Sequence, residues 1–276
     1  MELKATRLEV DRGVATVWLH RPHRHNGWTG RMYAEYRWIF AQLEGDPTVR
    51  AVIVTGTPPA FCVGADTQAL EVHAGEGGYE AGMRPTDVDT ATPGYGVREE
   101  LDHDFAWHYG LRLPVIAAVN GACAGIGLSL AMFSDLRFAS AKAKITTSSA
   151  RLGLPAEYGL SWVLPRLVGV TRAADLLLSA RVLPAAETAD WGLWNGVADD
   201  GDGALELATA RARQIADELS PASTAAIKRQ LYDDVMQHDV GASIEEFKRL
   251  LERMMAAPDF REGVAALREK RPPNFG

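Results

Sequence analysis

The chain has 276 residues, 47% hydrophobic and 24% charged, which is enough apolar material for one large core or a core with a helical appendage and too much for a disordered chain. A formal net charge of −7 with a pI near 5.5 argues against nucleic acid or an anionic membrane as the main partner. The opening MELKATRLEV lacks the basic and apolar regions of a signal peptide, so a cytoplasmic location is expected, and two cysteines, Cys62 and Cys123, are too few for a disulfide framework.

Residues 3–10, the turn Asp11-Arg12-Gly13 and residues 14–19 read as a β-hairpin. The loop RPHRHNG follows, and Thr29 is placed to cap a helix over residues 30–43 with Met32, Tyr36, Ile39, Phe40 and Leu43 on one stripe. That helix ends at Gly45-Asp46-Pro47, and residues 51–55 form a buried strand broken by Gly56-Thr57-Pro58-Pro59. Phe61-Cys62-Val63-Gly64-Ala65-Asp66 makes a tight, glycine-containing passage in which Asp66 suits the cap of a following helix. Residues 75–96 are rich in glycine, proline and acids, the pattern of a loop or lid, and a helix is expected over residues 97–111.

The stretch from Leu113 to Asp135, LPVIAAVNGACAGIGLSLAMFSD, reads as a buried strand, a tight small-residue turn and the start of a buried helix. Its glycines let a ligand approach main-chain amides. At a helix start those amides have no internal partner and the helix dipole stands behind them, so a carbonyl oxygen gaining negative charge can be received there. Close packing alone accounts equally well for such a turn. The run Gly125-Ile126-Gly127-Leu128-Ser129-Leu130 ends in leucine where a dinucleotide fingerprint needs glycine. Asn120 and three glycines, flanked by Pro114 and Asp135, suit a soluble core better than a membrane span.

Downstream, residues 136–139 form a short strand, 146–154 are turn-rich, and helices follow at 160–167 and, behind Thr171, at 172–178. Past Gly201 the pattern is helix only, over 203–219, 221–236, 243–255 and 259–269, with Ser243 and Glu246 forming a capping box. Ile244, Phe247, Leu250, Leu251, Met254 and Met255 give the third of these helices a wide apolar front that must cover the chain's own core or a neighbouring subunit. His20, His23 and His25 lie beside Arg21 and Arg24 but have no acidic or cysteine partner, so no metal site is expected. Cys62 has no histidine placed to activate it and reads as a buried small residue.

Two stretches, AFCVGAD from Ala60 and PVIAAVNGACAGIGLSLAMFSDLRFAS from Pro114, resemble the enoyl-CoA hydratase/isomerase (crotonase) superfamily. The similarity continues through AKAKITTSSARLGLPAEYGLSWVLPRLVG to the terminal LREKRPPNFG and so covers nearly the whole chain. It implies an α/β fold, with a crotonase-like spiral of ββα units over residues 1–200 and a helical C-terminal region over 201–276 that packs as a homotrimer or a dimer of trimers. It also implies a coenzyme A thioester as substrate, coenzyme A arriving as part of that substrate, with no permanently bound cofactor.

By the same resemblance the thioester oxygen is gripped by the amides of Ala65 and Ile126. Losing one such donor typically costs roughly 3 to 4 kcal/mol of transition-state stabilisation. Ile126 stands where glycine is frequent, and its amide serves if the residue is helical, whereas a positive φ ill suits a β-branched side chain. The two glutamates of typical hydratases fall at Ser129 and Ser149, which can hold a water but cannot act as the carboxylate base. Glu157, in LGLPAEYG, resembles the glutamate of certain 3-enoyl-CoA to 2-enoyl-CoA isomerases, which need only one base. Its alternative reading is a surface glutamate ahead of a helix; as a base it needs apolar surroundings to lift its pKa toward neutrality.

The resemblance further makes Arg24 a candidate for the nucleotide phosphates, Val63 and Ala65 main-chain contacts to adenine and thioester, and Lys270 a second phosphate ligand from the same or an adjacent subunit. Asp135 falls at a structural position. Asp102, His103, Asp104 and His108 lie on the expected helix lining the acyl pocket, where helical surface is the plainer reading; His103, Asp104 or His108 is the acid or base of an alternative hydratase or lyase. The two serines also fit a non-catalytic acyl-CoA binding protein.

Overall fold

The hairpin forms where the alternation puts it, with β1 (Thr6–Asp11) and β2 (Val14–Leu19) paired antiparallel around Arg12-Gly13. The structure is a computed structural model and describes residues 1–66, 97–236, 258–269, 271, 274 and 275. Its larger sheet adds β3 (Ala51–Gly56), β5 (Val115–Val119), β7 (Leu136–Ser140) and β10 (Gly196–Ala198) in the order β1-β2-β3-β5-β7-β10, every pairing after the hairpin parallel. A smaller sheet runs β4 (Ala60–Cys62), β6 (Ala122–Ala124), β8 (Lys144–Thr146) and β9 (Leu183–Pro184), parallel except for the last pair. After the hairpin, β3, β5 and β7 are each followed by a strand of the small sheet, and the chain climbs as a spiral of ββα turns, as expected.

The β-branched and small residues of β5 show why the strand is continuously apolar. Val115, Ala117 and Val119 face the main core, while Ile116 and Ala118 face a second cluster with Ile53, Phe138, Ala208 and Ala212. Both faces are buried, so neither calls for polar alternation. The second cluster is closed by α4 (Gly201–Glu218), whose Ala204, Ala208 and Ala212 are small enough to let the helix lie close on the sheet, and whose N-cap Asp200 accepts from the Gly203 amide. The helices before it are α1 (Gly30–Gly45), capped by Thr29 through the Met32 amide as read from the sequence, α2 (Ile126–Met132) and α3 (Leu160–Ser179). After it come α5 (Pro221–Met236) and α6 (Pro258–Glu269).

Asp135 has the structural role expected of it. Its carboxylate accepts from the Val115 amide at 2.6 Å, from Lys228 Nζ at 2.7 Å and from the Tyr232 hydroxyl at 2.8 Å, which ties β5 to α5.

Two expectations are corrected. Residues 97–111 do not form a helix but two 3-10 turns, Glu99–Leu101 and Ala106–Gly110. Phe105, Trp107, His108, Tyr109 and Leu111 are all buried, a spread that no single α-helical face presents. The small-residue turn before α2 contains a strand, β6, because Ala122–Ala124 pairs with both β4 and β8. The two helices expected before and after Thr171 are present as the two halves of α3, which meet at a kink at Gly169, where φ is 75°. The expected loop or lid at 75–96 and the helix at 243–255 lie outside the described residues. Among the described residues no helix is long and apolar enough to cross a membrane.

Candidate active site

The site is built where the ends of β4 and β6 meet. Beyond Cys62 the chain runs alongside Trp28, whose amide donates to the Gly64 carbonyl at 2.7 Å while the Asp66 amide donates to the Trp28 carbonyl at 2.9 Å. Successive amides of an extended chain point to opposite sides, so the Ala65 N–H faces away from Trp28. Buried Asp66 anchors this passage through ion pairs with Arg21 at 2.8 Å and Arg24 at 3.0 Å. The helix it was expected to cap lies outside the described residues.

The second donor comes from the start of α2. The positive φ falls on Gly125 (φ 50°, ψ −117°), which leaves Ile126 as the first helical residue. Its N–H therefore has no intrahelical acceptor, and it is helical as its β-branched side chain requires. Among the described residues neither the Ala65 nor the Ile126 N–H donates to a main-chain carbonyl. A β-carbon on Gly127 would stand 2.3 Å from the Cys62 carbonyl oxygen, so only glycine lets the first turn of α2 press against the end of β4 and bring the two donor segments together.

Glu157 closes the site. Its Oε2 lies 2.5 Å from the point where a Gly125 β-carbon would be, one residue before the Ile126 amide. That oxygen is buried and has no hydrogen-bond partner among the described residues. Burial pushes the carboxyl pKa up to about 7, because the charged form loses hydration without gaining a partner. The segment is held inward by its neighbours: the Glu157 carbonyl accepts from Ser129 Oγ at 3.4 Å, and the Tyr158 ring meets Phe105 edge-on at 5.6 Å. The alternative of a solvated surface glutamate does not fit this position.

The two serines at the family's glutamate positions are both buried and both spend their hydroxyl protons on main chain. Ser129 Oγ donates to the Gly125 and Glu157 carbonyls, and Ser149 Oγ donates to the Thr147 carbonyl at 3.2 Å. The sequence does not single out their neighbour Ser148, whose Oγ lies 3.1 Å from that same point above Gly125.

The profile of the family described as "Enoyl-CoA hydratase/isomerase" matches residues 9–276. The chain belongs to this family. Among its relatives, a protein named probable enoyl-CoA hydratase from Rhodobacter capsulatus is 34% identical over 100% of this chain and 99% of its own length. One named 1,2-epoxyphenylacetyl-CoA isomerase from Escherichia coli is 31% identical over 96% of each chain. The crystal structure of a probable enoyl-CoA hydratase/isomerase from Mycobacterium abscessus superposes with a TM-score of 0.82 at 31% identity, covering 98% of both chains. The protein is therefore an enzyme of the crotonase superfamily with the crotonase fold.

Within this crotonase frame the other expected residues separate clearly. Arg24 is partly exposed and ion-paired with Asp66, and Val63 is exposed beside Ala65. Lys270 lies outside the described residues. Cys62 is fully buried and its thiol is pushed up to about 12 by burial, which makes it inert packing as expected. His108 is enclosed by Phe40 and Trp107, bonds the Tyr36 hydroxyl at 3.0 Å, and has its pKa depressed to about 3 by burial, so it stays neutral. Asp104 accepts from the Tyr33 hydroxyl at 2.8 Å. No group of three or more histidine, cysteine or acidic residues able to hold a metal occurs among the described residues.

Proposed function

We propose that this enzyme converts a 3-enoyl-CoA to the conjugated 2-enoyl-CoA, with Glu157 as its single proton carrier. The observation that carries the reading is the unpartnered, buried Glu157 Oε2 set against Gly125 beside the Ile126 amide. The thioester oxygen accepts hydrogen bonds from the Ala65 and Ile126 amides. The Glu157 carboxylate removes a proton from C2, the dienolate charge is held on that oxygen, and the carboxylic acid returns the proton at C4. A pKa of about 7 suits both halves of this cycle, since the group is a substantial fraction base at neutral pH and still a competent acid once protonated.

Hydration by paired carboxylates fits less well, because both serines are tied to carbonyls, His108 is sealed in aromatic packing and Asp104 is engaged by Tyr33. A purely binding role gives no reason to retain a desolvated carboxylate without a partner, an arrangement that costs stability. The coenzyme A nucleotide is assigned to Arg24, the main chain of Val63 and Ala65, and Lys270, and the working assembly to a cytoplasmic homotrimer or dimer of trimers.

The test is to supply purified enzyme with a 3-enoyl-CoA and follow the absorbance of the conjugated thioester. Glu157→Gln keeps the shape but not the base, so kcat should fall about 10³-fold with KM little changed. Full activity in that variant would remove Glu157 from the mechanism, and hydration of a 2-enoyl-CoA that survives it would favour the hydratase.

A further inference from the structure

Three serine hydroxyls surround the turn that carries Glu157, and they are not equivalent. Those of Ser129 and Ser149 donate to carbonyls. Ser148 is held differently. Its backbone sits at φ 58°, ψ −32°, a conformation that a side-chain-bearing residue adopts only when its surroundings force it, and its amide is fixed by Thr146 Oγ1 at 3.2 Å. The Ser148 Oγ donates to no carbonyl among the described residues and approaches to 3.1 Å the point above Gly125 that Glu157 Oε2 approaches to 2.5 Å. The two oxygens thus flank one gap next to the Ile126 amide, with no direct hydrogen bond between them.

We propose that Ser148 is a positioning residue for Glu157, its hydroxyl holding the carboxyl group over the reacting carbons in both protonation states. A hydroxyl can donate to the carboxylate before C2 is deprotonated and accept from the carboxylic acid afterwards, which a lysine or arginine cannot do. Closing the gap requires a rotation of one of the two side chains. Among the described residues no hydrogen bond holds Glu157 Oε2, burial raises the carboxyl pKa to about 7, and the titratable group that senses it, the Cys62 thiol, is itself neutral at about 12. The inference rests on the isomerase reading for its role but can be measured apart from it.

The measurement is a carbon-13 NMR titration of the Glu157 carboxyl in the full-length enzyme, its signal assigned by its loss in Glu157→Gln, for the natural protein and for Ser148→Ala and Ser148→Gly. Glycine relieves the positive φ, so the second variant keeps the fold while deleting the hydroxyl. The bond donated to the charged carboxylate is stronger than the one accepted from the acid, so its loss should raise the Glu157 pKa by about 1 unit in both variants. Turnover should fall roughly tenfold with KM nearly constant, and C2 exchange with solvent should rise relative to delivery at C4. An unmoved Glu157 titration in both variants would overturn the proposal. An active Glu157→Gln enzyme would instead sink the isomerase base, whatever the titration shows.

Discussion

Glu157 couples activity and stability to pH in opposite senses. Its folded pKa, about 7, lies above the ordinary 4.5. Relative to the charged form, the stability it contributes is fully present below about 4.5 and is lost as pH rises through 7. Activity follows the carboxylate, so kcat/KM should decline below pH 7 with one proton bound, as a pH-rate profile will report. Glu157→Gln should melt higher than the natural enzyme at pH 8, where the buried charge is absent only from the variant, and the gain should shrink at pH 5; scanning calorimetry at both values checks this. Gly125 offers a second handle. Alanine there combines a positive φ with a β-carbon 2.5 Å from Glu157 Oε2, so Gly125→Ala should lose turnover about 100-fold and destabilise by roughly 1 to 3 kcal/mol, read by steady-state kinetics and urea unfolding. At this scale the sequence was informative through resemblance: AFCVGAD, the GACAGIG turn and LGLPAEYG point to Ala65, Ile126 and Glu157, which the structure sets on adjoining segments. Ser148 was not legible, because its orientation follows from a backbone conformation that a serine side chain does not advertise.

At the scale of elements, hydrophobic patterning worked where a segment meets one environment. The hairpin, the capped α1, the buried β3 and β5 and the long C-terminal helices α4 and α5 were all readable from period and punctuation. It failed where long-range pairing overrides local preference. Three residues of β6 are a strand only because β4 and β8 flank them, and residues 97–111 bury side chains on several sides instead of one helical stripe. The contact between elements most exposed to a single change is Asp135. It holds Lys228, which is buried at 6% exposure. Asp135→Asn leaves that ammonium without its counter-charge and should cost about 3 to 5 kcal/mol, measured as a shift in the urea midpoint.

At the scale of the whole molecule, α5 presents Ile227, Leu231 and Val235 to solvent at 63%, 54% and 41% exposure. The spacing of four residues places them on one stripe, which is a surface that a second copy can cover. Sedimentation should give three or six chains per particle, and Leu231→Glu should lower that number if the stripe is part of the contact. A change in activity accompanying dissociation would show that the assembly completes the coenzyme A site.

The two hydrogen-bond donors assigned to the thioester belong to the polypeptide spine, one at the end of β4 and one at the start of α2. No codon change short of proline deletes them, so the capacity to stabilise an enolate is written into the path of the chain and not into any particular side chain. What becomes of the enolate that Glu157 forms is left to a few replaceable neighbours, here Ser129, Ser148 and Ser149. A combinatorial library confined to those three positions, with Glu157 kept, should therefore redirect the fate of the acyl group among its members while most of them still exchange the hydrogen at C2.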